Sequence, residues 1–150
     1  MVIGEVLNLF IAPVNTSGIR EQRDFLELSL NGIKDDKFAN KKLEQSVMIV
    51  GLKPYNMAKE SLDINLPTAA LGENILLDFD PHTLPIGTWL EIGSAIIEIT
   101  QNCTLCKHLT KYHKKLPKLI LKHRGVYCKI VKEGVVTKNS SVKVLDRLSA

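Results

Sequence analysis

Short apolar and β-branched segments, divided by closely spaced turn residues, most strongly limit how this chain can fold. The clearest pair is Thr88–Ile92 and Ala95–Thr100, which flank Gly93-Ser94. A two-residue connection of this kind is typical of a β-hairpin, because glycine accepts the positive φ angles of tight turns. Glu133-Gly134 lies in a similar position between Val126–Val131 and the strand-like residues that follow, and it predicts a second hairpin.

Other segments complete a pattern in which strands outnumber helices. Pro54 is suited to the first turn of a helix that continues through Tyr55–Leu62. Lys107–His123 is basic and compatible with a helix, but Pro117 must kink it or divide it into two. We therefore predict a mainly β fold, a closed or partly open β-barrel of short strands with a few inserted helices. Further strands are predicted at Val2–Ala12, Phe25–Leu30, Ser46–Leu52, Ile75–Phe79 and Val142–Leu145.

Composition narrows the class of protein. The 150 residues are 45% hydrophobic and 24% charged, which is typical of one globular domain, and we expect residues 1–150 to form it. No apolar run reaches the ~20 residues that span a bilayer, and no signal peptide is recognisable, so we expect a cytoplasmic protein without membrane association. The net charge of +4 permits an anionic partner. Aromatic residues are few, so we do not expect nucleic-acid binding, and the sequence does not indicate an oligomeric state.

Thr100–Leu109 carries the residues best suited to chemistry, because it contains two of the three cysteines. Cys103 and Cys106 form a C-x-x-C pair, which has three interpretations. The pair could be half of a zinc site completed by Cys128 or His108, although a closed site needs four ligands and no second C-x-x-C exists. It could be a redox pair, or one cysteine could act alone as a thiolate.

Physical chemistry favours Cys106 as the working thiolate. A helix that begins near Lys107 would place the sulfur at its positive end, and His108, Lys111 and Arg124 would add positive potential. Each effect lowers the pKa of a thiol, and the thiolate is the form that attacks and binds metals. The alternative is that Cys106 is a small buried apolar residue.

Two further motifs have a structural interpretation beside a functional one. Gly72-Glu73-Asn74 reads as a tight turn, because glycine and asparagine both tolerate positive φ. Arg124 precedes Gly125 and could belong to a helix C-terminus, or it could bind an anion.

Taken together, these motifs resemble the MOSC domain family, named for the C-terminal domain of molybdenum-cofactor sulfurases. Each motif alone is weak, but their order and spacing match the family across most of the chain. The matching segments are Leu71-Gly72-Glu73-Asn74-Ile75, Ile86-Gly87-Thr88-Trp89-Leu90-Glu91-Ile92-Gly93, Glu98-Ile99-Thr100-Gln101 followed by Cys106, and Arg124-Gly125-Val126-Tyr127-Cys128-Lys129-Ile130.

The resemblance implies a strand-rich barrel that binds a molybdenum–pterin cofactor or transfers sulfur toward a metal–sulfur cofactor. Cys106 matches the cysteine that is the proposed sulfur carrier or molybdenum ligand, and a soft thiolate suits that metal. The resemblance further implies that a separate donor protein supplies the sulfur, because the lyase domain of longer relatives is absent from the sequence. The residues expected to bind the cofactor are Gly72, Glu73, Asn74, Lys107 and Arg124.

The chain departs from the family pattern next to the cysteine. Cys103 stands where the family commonly has arginine, and Leu105 stands where it commonly has proline. The first change removes an expected anion contact and leaves a second sulfur near Cys106. The alternative function is a non-catalytic barrel module that binds an anionic metabolite or a partner protein, so the sequence leaves open whether the protein is an enzyme.

Overall fold

A computed structural model describes residues 1–17, 20–104 and 107–146, and for Lys107 it describes the backbone only. The described chain is mainly β, with short helices between the strands. The strands are β1 Val2–Ile11, β2 Glu21–Arg23, β3 Phe25–Ser29, β4 Gly32–Ile33, β5 Val47–Val50, β6 Ile75–Leu77, β7 Trp89–Ile92, β8 Ala95–Asn102, β9 Val126–Lys132, β10 Gly134–Thr137 and β11 Ser141–Leu145. The α-helices are α1 Lys53–Leu62 and α2 Leu116–Ile120.

Seven strands form a closed barrel, so the predicted fold class is confirmed. The order around the barrel is β1-β11-β7-β8-β9-β5-β6, and β6 pairs with β1 to complete the ring. β5 and β6 are parallel, and the other neighbours in the ring are antiparallel. A parallel pair needs a crossover connection, and α1 lies within it. The predicted hairpin at Gly93-Ser94 is confirmed, because Ile92 pairs with Ala95.

The second predicted hairpin, at Glu133-Gly134, is wrong. β10 pairs with β3 rather than with β9, and β3 in turn pairs with β4 to give a separate three-stranded sheet. Gly134 lies so close to the hairpin turn that a Cβ there would be 2.4 Å from the backbone of Ser94. The glycine therefore lets the chain pass close to the hairpin turn on its way from β9 into the small sheet. Glycine serves here for close approach and not for a hairpin turn.

In the barrel wall formed by β5 and β9, β5 is apolar and buried on both faces. Val47 and Ile49 are buried in the barrel interior, whereas Met48 and Val50 belong to a second apolar cluster outside the barrel. Successive side chains of a strand point to opposite faces, so this continuous apolar run is what a strand covered on both sides requires. The outer cluster is completed by residues of the helices, Ala58, Leu109, Leu116 and Ile120.

The basic segment Lys107–His123 is divided into three short helices. A 3-10 helix covers Lys107–Lys111, α2 follows, and another 3-10 helix covers Leu121–His123. Pro117 lies in the first turn of α2, where its missing N–H costs no hydrogen bond, so a helix begins at this proline as a division there requires. The segment holds three short helices rather than the predicted two, because a further break follows Ile120. In the part of the chain described, no helix is long and apolar enough to cross a membrane.

The contact between the hairpin turn and β10 yields a stability prediction. Gly93 has a φ of +60°, and a Cβ there would lie 2.2 Å from the carbonyl oxygen of Val135. Gly93→Ala therefore combines backbone strain with a steric clash. Gly87 has a φ of +96° with no atom within 4 Å of the added Cβ, so Gly87→Ala adds the strain alone. In urea denaturation, we expect Gly87→Ala to cost about 1–2 kcal/mol and Gly93→Ala clearly more. Equal losses of unfolding free energy in the two variants would show that β10 moves aside without cost, which would contradict the prediction.

Candidate functional site

A cavity of about 600 Å³ lies against the outer face of the barrel wall. Met48 of β5 and Tyr127 of β9 are paired across the sheet, and both side chains face the cavity. The loop 67–72 borders it on one side, and His108, Lys111 and Tyr112 border it on another. A cavity of this volume is in the range that holds a cofactor or drug-sized molecule.

Arg124 is the most deeply buried cation of the cavity. It is only 4% exposed, and its Nη1 donates a hydrogen bond of 2.6 Å to the carbonyl oxygen of Leu71. Its Nε is buried without a hydrogen-bond partner, and the described residues place no carboxylate within 4.0 Å of the guanidinium. A buried charge normally pairs, so an incompletely satisfied guanidinium favours an anionic ligand here.

Further cations surround the cavity. Arg20 and Lys37 line it opposite the segment that carries His108 and Lys111. Burial lowers the pKa of Arg20, and Asp36 and Glu73 partly oppose that shift. Burial also lowers the pKa of His108, and the nearby charges of Arg124 and Lys111 lower it further. The largest cause of both shifts is burial, which removes water from the charged form of each group.

Asp36 is the acidic side chain among the cavity-lining residues, and its oxygens are already engaged. Oδ1 accepts a hydrogen bond of 2.8 Å from the backbone N–H of Ala12, and Oδ2 accepts one of 3.3 Å from that of Phe38. The carboxylate therefore fixes the loop that follows β4 to the end of β1. It offsets part of the positive charge but leaves the cations in excess.

Gly72, a predicted site residue, forms part of the cavity wall. Its φ is +78°, and its N–H donates a hydrogen bond of 3.0 Å to the carbonyl oxygen of Ala69. An added Cβ would lie 3.4 Å from Nη2 of Arg20. The glycine thus permits the turn and lets the arginine approach the loop, which fits the functional and the structural interpretation of this motif equally.

Asn74, the second predicted residue of this turn, lines the cavity and also connects two strands. Its Oδ1 accepts a hydrogen bond of 2.9 Å from the N–H of Met48, and its Nδ2 donates one of 3.2 Å to the carbonyl oxygen of Phe10. Its backbone bonds to the same two residues. The side chain therefore joins β5 to β1 just before β6 begins.

Glu73 does not face the cavity, so the expectation that it lines the pocket is corrected. It is fully buried, and its Oε2 accepts a hydrogen bond of 2.5 Å from the hydroxyl of Tyr55 in α1. The turn that brings Gly72 and Asn74 to the cavity directs the carboxyl of Glu73 toward α1 instead. Burial raises the pKa of Glu73, while the Tyr55 hydrogen bond and the charge of Arg124 act against that rise. Its Oε1 has no hydrogen-bond partner.

The two described cysteines, Cys103 and Cys128, are separated by the barrel wall. Cys106, the predicted thiolate, lies outside the described residues, and so does the side chain of Lys107. Cys103 is buried in the outer apolar cluster, with Sγ 3.8 Å from the hydroxyl of Tyr127. Cys128 is fully buried in the barrel interior, where desolvation raises the pKa of its thiol.

The zinc interpretation that used Cys128 does not fit this arrangement. Cys103 and Cys128 occupy opposite faces of the same wall, so one ion cannot reach both sulfurs. Across residues 1–17, 20–104 and 107–146, no group of three or more histidine, cysteine or acidic side chains is arranged to hold a metal.

A histidine cluster that the sequence did not reveal supports the chain next to Arg124. His82 accepts a hydrogen bond of 2.9 Å at Nε2 from the N–H of Gly125, so the ring is neutral with its proton on Nδ1. Asp80 lies 2.7 Å from Nδ1 of His123, and the two imidazoles are 6.1 Å apart. From the sequence, the order Asp80-Pro81-His82 could have predicted that Asp80 caps a short helix. It could not have predicted the contact between His82 and Gly125, which are far apart in the chain.

This cluster predicts a pH dependence of stability. Burial lowers the pKa of His82 below 6.5, with Asp80 opposing and His123 adding to the shift. The folded state therefore resists protonation that the unfolded state accepts, so stability falls as the pH drops below about 6.5. We expect urea titrations from pH 7.5 to 5.0 to show a shallower loss for His82→Gln than for the wild type. His113→Gln, outside the cluster, is the control and should follow the wild type. Parallel curves for all three proteins would contradict the prediction.

Comparison with known proteins gives one family match. The family model described as the MOSC domain matches residues 34–143, which is more than half of the chain. A search of curated proteins finds no significant match.

Solved structures share the fold at low sequence identity. The YuaD protein from Bacillus subtilis superposes with a TM-score of 0.76 at 17% identity, and the match covers 94% of each chain. YiiM from Geobacillus stearothermophilus superposes with a TM-score of 0.78 at 16% identity, covering 97% of this chain and 76% of that one. YiiM from Escherichia coli gives a TM-score of 0.71 at 17% identity, covering 95% and 70% of the two chains. At these identities the similarity concerns the fold alone.

Proposed function

The chain belongs to the MOSC domain family, and from this premise we propose that it binds a molybdenum–pterin cofactor or carries sulfur toward a metal–sulfur cofactor. The family is linked to molybdenum-cofactor sulfurase. The observation that carries the proposal is the buried guanidinium of Arg124, whose Nε has no partner, at the wall of a cationic cavity. Cys106 would be the thiolate that binds the metal or carries the sulfur.

The residues of the cavity fit the anionic part of such a cofactor. A pterin cofactor carries a phosphate, and Arg124, Arg20 and Lys111 offer charge-assisted hydrogen bonds to it. Gly72 lets Arg20 approach the loop, and Asn74 fixes the adjacent part of the barrel wall by its hydrogen bond to Met48 of β5. Glu73 would act indirectly, through its position behind the arginines, and Lys107 would add charge beside the thiolate.

The described residues on either side of Cys106 in the sequence lie at the cavity, which is why we propose Cys106 for this role. His108, two residues after it, lines the cavity, and Cys103, three residues before it, packs against Tyr127 at the cavity wall. When bound, the cofactor would supply a molybdenum centre that accepts sulfur ligands. The protein would hold the anionic end, exclude water through its apolar cluster and keep the thiol ionised by positive potential.

The proposal predicts a division of labour between Arg124 and Cys106. The protein is expressed with a source of molybdenum cofactor, and bound molybdenum and pterin are measured for each variant. Arg124→Gln should retain about tenfold less pterin, because a charge-assisted hydrogen bond contributes about 1.5–3 kcal/mol. Cys106→Ser should keep pterin but lose bound molybdenum or the ability to accept a persulfide. Lys122→Gln, an exposed lysine outside the cavity, is the control.

Folding of each variant is checked by circular dichroism, and Lys111→Gln provides an exposed cavity variant if Arg124→Gln does not fold. Lys111→Gln should also reduce bound pterin. If the wild type and the variants retain equally little molybdenum and pterin, and the wild type accepts no persulfide, the proposal is wrong.

A second candidate is a barrel module that binds an anionic metabolite or a partner protein without chemistry at sulfur. The cationic cavity favours it, because the cavity would attract an anion whatever the state of Cys106. Titration of the Cys106 thiol separates the two candidates. We expect a pKa well below 7.5, measured from the rate of alkylation against pH in a Cys103→Ala background. A value near the ordinary 8.5 with slow alkylation would favour the binding module.

A further inference from the structure

The chain distributes its charge very unevenly. Residues 99–132 contain nine lysines and arginines and no acidic residue. The rest of the chain therefore holds eleven lysines and arginines against all sixteen acidic residues, a net charge of −5. A protein with one strongly basic segment on an otherwise acidic chain presents a directed electric field, which steers the approach of charged partners.

Five of these nine cations are exposed lysines of the helical segment between β8 and β9. Within α2, Leu116 and Ile120 are buried against the outer apolar cluster, so Lys118 projects from the opposite side. Lys115, Lys118 and Lys122 are spaced at three and four residues, which places them along one side of the helical segment. We call the exposed lysines of this segment the basic ridge; its members are Lys111, Lys114, Lys115, Lys118 and Lys122.

The lysines of the basic ridge form no ion pairs in the described part of the chain. Elsewhere the chain pairs surface charges, as in Lys59 with Asp63 and Lys34 with Glu27. Unpaired charges of one sign repel one another, and an acidic surface that approaches them relieves this repulsion. The absence of acids from this segment keeps the ridge available to an external partner.

The basic ridge begins at the cavity. Lys111 belongs to both, and Tyr112 beside it also lines the cavity. A partner that lies along the ridge would therefore cover the cavity entrance. This position suits a protein that delivers a group to the cavity or receives one from it.

We propose that the basic ridge docks an acidic protein that binds transiently over the cavity entrance. The group that the two proteins would exchange, sulfur or the cofactor, rests on the proposed function. The docking itself does not depend on Cys106. The partner would present a cluster of aspartate and glutamate side chains around its own donor or acceptor group. Electrostatic attraction would accelerate encounter, and the small contact area would allow rapid release.

The composition of the ridge favours a protein over a membrane or a nucleic acid. A membrane-binding helix needs an available apolar face, but that of α2 is already buried in the outer cluster. Nucleic-acid surfaces are typically rich in arginine and in exposed aromatic residues. All five cations of the ridge are lysines, and the arginine of the segment, Arg124, is buried. Strongly hydrated lysines suit a brief contact that stays partly wet.

The test uses the full chain and a polyglutamate peptide of about twelve residues as the acidic probe. Two variants carry the same net charge. One reverses the ridge through Lys114→Glu, Lys115→Glu and Lys118→Glu, and the other reverses exposed lysines elsewhere through Lys41→Glu, Lys42→Glu and Lys138→Glu. We expect the ridge variant to bind about tenfold more weakly than the wild type, and the control variant to change by less than about twofold.

Amide chemical shifts locate the contact, and the expected changes lie in Leu109–Leu121 and at the cavity entrance. Peptide affinity should fall as salt rises from about 50 to 300 mM, because salt screens exposed charges. Cys106→Ser should bind the peptide like the wild type, so failure of the sulfur chemistry leaves this result unaffected. Equal losses in both charge variants, or shifts spread over the surface, overturn the proposal. Tighter binding of a single-stranded oligonucleotide or of phosphatidylserine vesicles than of the peptide also overturns it.

Discussion

The barrel wall formed by β5 and β9 is the element on which the rest of the structure depends. Val47, Ile49 and Cys128 pack into the barrel from one face, and Met48 and Tyr127 pack outward from the other. A strand that is apolar on both faces must be covered on both faces, so the helical segments have to lie against the barrel. The cavity lies where the helical segments leave part of the outer face of this wall, at Met48 and Tyr127, uncovered.

Arg124 connects the cover to the wall at this point. It follows the last helical turn and is separated from β9 only by Gly125, and its guanidinium holds the loop 67–72 through Leu71. The backbone beside it is held on both sides, because the N–H of Gly125 donates to His82 and its carbonyl accepts from Cys103. The cation is thus fixed in place before any ligand arrives, and a preorganised site loses less entropy on binding.

Much of the barrel could be predicted from the sequence, because its signals are local. Gly93-Ser94 determines a hairpin by turn chemistry, and Pro117 lies at the start of α2, because proline is tolerated in the first turn of a helix and not in its interior. The pairing of β10 with β3 could not be predicted, since the two strands are separated by more than a hundred residues and turn residues carry no information on distant partners. The short β2 and β4 lack any alternation long enough to detect.

The candidate site divides in the same way. Gly72, Asn74 and Arg124 stood out as turn, cap and cation motifs, and the structure places them around one cavity. Arg20 and Lys37 come from two other loops, before β2 and after β4, and nothing in their local sequence indicates that they approach Arg124. Glu73 shows the limit of motif reasoning, because the same three-residue turn that brings its neighbours to the cavity directs its carboxyl into the protein, toward Tyr55.

The segment between β8 and β9 has three structural roles, which the net charge of the whole chain does not reveal. Its apolar residues cover the wall, His108 and Lys111 line the cavity, and four further lysines are exposed to solvent, Lys114, Lys115, Lys118 and Lys122. These tasks are compatible because a helix separates its faces, so burial of Leu116 and Ile120 fixes where Lys118 must point. The helical segment that completes the fold therefore also determines from which side a charged molecule approaches the cavity. The net charge of +4 hides this asymmetry, because it is the sum of a strongly basic segment and a chain that is otherwise acidic.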